Sequence, residues 1–130
     1  MGSARVIYLL DSVILIDHFN GIKLATAFIS SHGSESALSV ITRAEVLVGF
    51  DAGSVLLARK LLDTFPTLPM TTEIADDAAR LRRVSSWKLP DAIQAAIARA
   101  HGLTLVTRNT RDFQPGGDPE VLIPYRLGNL

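Results

Sequence analysis

The chain has 130 residues, 48% hydrophobic and 20% charged, so it is long enough to bury one core and too apolar to be disordered. Thirteen Lys and Arg balance thirteen Asp and Glu, which excludes a global field drawing the molecule onto nucleic acid; any such contact has to be local. The absence of cysteine excludes disulfides, thiolate nucleophiles and cysteine-based zinc sites.

Residues 1–130 read as a single domain, with residues 1–4 set apart as a disordered or tag-like lead. Residues 6–10 form a short β-branched and aliphatic run, expected to be a buried strand. Asp11 follows it, and residues 12–19 read as a helix that is apolar on most sides and therefore buried or covered by a partner. Leu24, Ala27 and Phe28 mark a second short helix that ends near Gly33. Residues 37–41 read as the second strand, and residues 42–50 and 54–65 as helices split by Ala52 and Gly53. A short extended piece, 66–70, lies between prolines. Residues 72–84 give a helix with Ile74, Ala78 and Leu81 on one face. The clearest helix is 89–101, where Leu89, Ala92, Ile93, Ala96, Ile97 and Ala100 keep helical spacing and Gly102 supplies the stop. Residues 103–106 are a strand, 109–113 a turn or short helix, and 121–123 a last strand.

Short apolar strands alternating with helices predict one α/β domain, a central parallel sheet with helices on both faces. The longest apolar runs fall far short of the roughly 20 residues that cross a bilayer, and charges interrupt the N-terminus before a secretory signal can form. The expected location is therefore cytoplasmic, with no membrane association.

Ligands of open parallel sheets bind outside the carboxyl ends of the strands. Asp11 follows the first strand, Glu45 lies in the first turn of the helix after the second, and Asn109 and Asp112 follow the 103–106 strand. Asp91 opens the helix that precedes that strand, and is expected at the opposite edge unless the helix crosses obliquely. Acids brought close together repel one another without a cation, and an all-oxygen donor set suits Mg²⁺ or Mn²⁺. Such a site would activate water for in-line hydrolysis of a phosphodiester.

Each acid also has a purely structural reading. Thr42 and Glu45 have capping-box spacing. Asp91 suits the dipole of a first helical turn, Asp11 suits an N-cap and Asp112 a turn. Arg80, Arg82, Arg83, Lys88, Arg99, Arg108 and Arg111 crowd a stretch whose lone acid is Asp91. They read either as a phosphate-binding rim or as a solvated helix face with Asp76 pairing to Arg80. Trp87 could stack on a base or anchor a loop. Asp17 reads as a surface acid or an outer support of the site, and the three histidines form no spaced metal pair.

Four segments together resemble the PIN-domain nucleases: YLLDSVILID at 8–17, SVITRAEVLVG at 39–49, KLPDAIQAA at 88–96 and LTLVTRNTRDF at 103–113. The nearest resemblance is to VapC-type toxins of bacterial toxin–antitoxin pairs. It implies a five-stranded parallel sheet, a Mg²⁺ or Mn²⁺ site, endonucleolytic cleavage of RNA, a homodimer, and a small VapB-like antitoxin that blocks the site. It also implies that Asp91 joins Asp11 and Glu45. Asp112 is taken as the fourth acid and Asn109 as a neutral polar partner, with Arg108, Asn109, Arg82, Arg83 and Lys88 facing the RNA. Val13 stands where the family usually has Asn, which motivates a rival reading as an inactive PIN-like binding module. A phospho-receiver domain, the other rival, needs paired acids after the first strand and a late lysine, and this sequence has neither arrangement.

Overall fold

The computed structural model describes residues 5–109, 113 and 116–128. In chain order the elements are β1 (Tyr8–Leu10), α1 (Ser12–Phe19), α2 (Lys23–His32), a 3-10 turn (Gly33–Glu35), β2 (Ser36–Ser39), α3 (Val40–Leu47), α4 (Val55–Leu62), β3 (Thr67–Leu68), α5 (Thr72–Val84), α6 (Leu89–His101), β4 (Thr104–Val106) and β5 (Val121–Leu122). The five strands form one sheet in the order β3-β2-β1-β4-β5, and every pairing is parallel. The predicted α/β architecture is the one observed.

Alternation along the central strands builds two cores. Leu9, Leu105 and Val121 face a layer containing α5 and α6, where Ile74, Ala78, Leu81, Ala92, Ala96 and Ile97 pack. Leu10, Leu38 and Val106 face the other layer, with Ile14, Leu15, Ala25, Val46 and Leu62 from α1 to α4. The small residues of α6 let it lie close against the sheet while α5 covers its outer side; residues 92–98 are all buried. No single helix among the described residues is long and apolar enough to cross a membrane.

The boundary between β2 and α3 differs from expectation. Val40 and Ile41 are β-branched and read as strand, yet Ser39 ends the strand and caps the helix, its hydroxyl accepting from the Thr42 N–H at 3.0 Å. The helix therefore starts two residues early, and Thr42 is inside it rather than at its cap. Glu45 consequently sits in the second turn, outside any capping box, which removes its structural reading.

Asp91 also departs from expectation. The helix α6 ends at Gly102, whose φ of 64° turns the chain at once into β4. A helix that ends at the start of a parallel strand runs back along the sheet, so its first turn lies at the carboxyl edge. The opposite-edge placement was an error of geometry, and no oblique crossing is needed.

Candidate active site

Asp11 is the N-cap of α1 and continues the β1 ladder, its N–H donating to the Val106 carbonyl at 2.8 Å. The residue is 7% exposed. One oxygen, Oδ1, accepts from the Ser12 N–H at 2.9 Å and from the Gln94 amide at 3.2 Å; the other, Oδ2, accepts from the Thr107 hydroxyl at 2.7 Å. The bond from Ser12 bears out the capping reading of Asp11. Among the described residues all of its donors are neutral, whereas buried carboxylates are ordinarily matched by positive charge.

The network extends into two further elements. Gln94 on α6 donates to Thr42 Oγ1 at 2.6 Å and accepts from the Ser39 hydroxyl at 2.6 Å, and the Thr42 hydroxyl donates to the Leu10 carbonyl at 3.3 Å. Ser39, Thr42, Gln94 and Thr107 are each buried. Asp91 lies three residues before Gln94 on α6, and Glu45 three residues after Thr42 on α3. Residues at that spacing sit on one helix face with Cβ atoms about 5–6 Å apart. Two acids are thus each one turn from a member of the network that grips Asp11. Asp91 and Glu45 are half-buried. Asn109, three residues beyond β4, donates its N–H to Thr107 Oγ1 at 3.1 Å.

The donor chemistry, carboxylate and hydroxyl oxygen around a buried charge, suits a hard divalent cation. Among the described residues, no three His, Asp or Glu side chains stand close enough together to hold an ion as placed. Asp112 and Arg111 lie outside the described residues.

Asp17 is not a surface acid. It is 4% exposed, and its carboxylate takes two bonds from Arg108, at 2.6 and 2.9 Å, and one from the Tyr125 hydroxyl at 2.8 Å. The Arg108 guanidinium holds the Asp17 carboxyl below its usual pKa, outweighing burial, which raises it; Tyr125 adds to the lowering. Burial first, then the bond to Asp17, pushes the Tyr125 phenol well up. Arg108, expected to face RNA, thus spends two nitrogens on an internal acid.

The remaining basic residues divide. Arg80 pairs with Asp77 rather than Asp76, and Arg99 joins the same carboxylate and also contacts Asp118. Arg82, Arg83 and Lys88 are exposed, the first two in the last turn of α5. Trp87 packs on Phe113, ring centroids 5.0 Å apart, against the α5–α6 core, so its anchoring role is the observed one. Glu45 and Asn20 line a groove between α1 and α3 whose apolar walls are Ile16, Phe19, Val46 and Phe50.

The model of the family described as PIN domain matches residues 8–115. The chain belongs to the PIN-domain family. Among solved structures, this PIN domain is similar to a toxin–antitoxin complex from Klebsiella pneumoniae, at 39% identity and a TM-score of 0.84, over 92% of this chain and 99% of that one. It shares its fold with FitAcB from Neisseria gonorrhoeae (23% identity, TM-score 0.76, 93% and 100% covered). The same holds for DNA-bound VapBC from Salmonella typhimurium (18%, 0.76, 91% and 98%). No curated protein matches the sequence. Sequence reasoning missed Gln94, Thr107 and Ser39, which hold this PIN-domain site together. The available signal was Gln94 itself, the one polar residue inside the buried alanine-rich run of α6.

Proposed function

We propose that this PIN-domain protein is a divalent-metal-dependent endoribonuclease and the toxin of a toxin–antitoxin pair. The observation that carries this reading is Asp11: a buried carboxylate at the carboxyl edge of a parallel sheet, matched by neutral donors alone among the described residues. Asp11 and Asp91 would hold Mg²⁺ or Mn²⁺, with Glu45 as a further ligand or the group that orients the attacking water, and Asp112 completing the set. The bound ion would supply Lewis acidity and an activated water. The chain's own part is positioning. Thr107 and Gln94 hold the Asp11 carboxylate, the Asn109 N–H bonds Thr107, and Arg82, Arg83 and Lys88 offer exposed charge to RNA phosphates. Arg108 would act on RNA only by loosening its hold on Asp17.

The toxin assignment is supported by the likeness to the Klebsiella complex along nearly the full length of both chains. The apolar groove beside Glu45 offers a seat where a small antitoxin segment would cover the site. A homodimer and a cytoplasmic location complete the proposal. Cleavage of RNA with Mn²⁺ by wild type, Asp11→Asn and Asp91→Asn is the direct test: loss in both variants is expected, and equal activity in all three rejects the reading.

A further inference from the structure

Gln94 is 1% exposed, and both ends of its amide are used. Its orientation is dictated by its partners. Asp11 can only accept, and Thr42 commits its own hydrogen to the Leu10 carbonyl, so the amide nitrogen faces both. Ser39 accepts from the Thr42 N–H, so its hydroxyl hydrogen goes to the Gln94 oxygen. Every neighbour on α6 from 92 to 98 is Ala or Ile, so the helix's own packing does not call for an amide there; the demand comes from the buried Asp11, Thr42 and Ser39.

We infer that Gln94 is the positioning residue of the site, its single amide fixing the rotation of the Asp11 carboxylate and locking the Glu45 and Asp91 helices to it. The inference rests on the proposed reading of Asp11 as a metal ligand. One nitrogen bonds the end of β1 through Asp11 and the start of α3 through Thr42, while the oxygen bonds the end of β2 through Ser39. Glu45 stands one turn beyond Thr42, and Asp91 one turn before Gln94 itself. A shift of this amide therefore moves three acids relative to one another, whereas Thr107 grips Asp11 by a single hydroxyl.

The experiment is Mn²⁺ titration by calorimetry, with thermal melts, of wild type and Gln94→Met. Loss of a residue that orients a ligand typically weakens metal binding about 10–100-fold. The expected result is a cooperative melt for Gln94→Met with Mn²⁺ affinity at least about tenfold weaker. A lower melting temperature with unchanged affinity means that the amide only packs, and overturns the proposal. A second measurement needs no variant: the Gln94 side-chain NH₂ resonances of the wild type should shift as Mg²⁺ is added, and resonances that stay put at saturation also overturn it. Wild type that binds neither ion removes the metal reading itself, a failure distinct from that of the variant alone.

Discussion

Asp11 caps the short helix α1 and Asp17 lies within it, and both residues are buried, at 7% and 4% exposure. Their surroundings are opposite. Asp17 is closed off by a two-point bond from Arg108 and the Tyr125 hydroxyl, so its charge is answered within the fold. Asp11 meets only neutral N–H and O–H groups among the described residues. A buried acid with its own cation ties strands and termini together. A buried acid oriented by neutral donors has no cation answering it among the described residues, which is why the metal site is proposed there.

The sharpest way to break this contrast is to neutralise each acid in turn. Asp11→Asn should cut RNA cleavage at least ~100-fold, equivalent to about 3 kcal/mol of transition-state stabilisation. Its thermal stability should hold, because Asn can still accept from Ser12 and Gln94 and donate toward Thr107. Asp17→Asn should do the reverse. It strands Arg108 without its carboxylate and should lower stability by about 2–3 kcal/mol in denaturant melts, with cleavage per folded molecule changed far less than in Asp11→Asn. An Asp17→Asn protein as stable as wild type would show that Arg108 finds its charge balanced elsewhere.

Acid sharpens the same comparison. The folded-state pKa of Asp17 lies below its unfolded value of 3.8, so the unfolded chain takes up the proton first as pH falls. The stability Asp17 contributes is complete above its unfolded pKa and is lost as pH drops through the lower folded value. The gap in melting temperature between wild type and Asp17→Asn should therefore start to narrow as pH falls below about 5 and go on closing through the lowered folded-state pKa. A gap that stays constant over that window would mean that the Arg108 bond does not depend on the ionised acid.

Much of this fold was legible in the sequence where local chemistry decides it. Three helices, Ser12–Phe19, Thr72–Val84 and Leu89–His101, begin and end where caps and periodicity put them. The order of strands and helices was enough to predict a parallel sheet. What was not legible depends on partners far along the chain. Asp17 is polar at a helix position and reads as surface until Arg108 and Tyr125 come to cover it. Gln94 is polar within an apolar run, and its meaning appears only when α3 and β1 are brought beside it. The edge on which Asp91 sits was deducible, because a helix leading directly into a parallel strand must start at the far end of that strand. Asp112 falls outside the described residues, so its role stays with the proposal.

The smallest expected change in stability tests the remaining acid. If Thr42 capped α3, Glu45 would be the reciprocal partner of its box, and losing that carboxylate would cost about 1 kcal/mol. Ser39 is the cap instead, with the Thr42 N–H as its donor at 3.0 Å, and Glu45 lies a full turn further in. Glu45→Gln should therefore melt within about 0.5 kcal/mol of wild type, while Ser39→Ala should lose about 1 kcal/mol or more because it forfeits both the cap and the Gln94 oxygen's donor. Cleavage should respond in the other sense, falling well over tenfold in Glu45→Gln. Stability lost in Glu45→Gln with cleavage retained would return this residue to the helix and leave Asp11 and Asp91 to hold an ion without it.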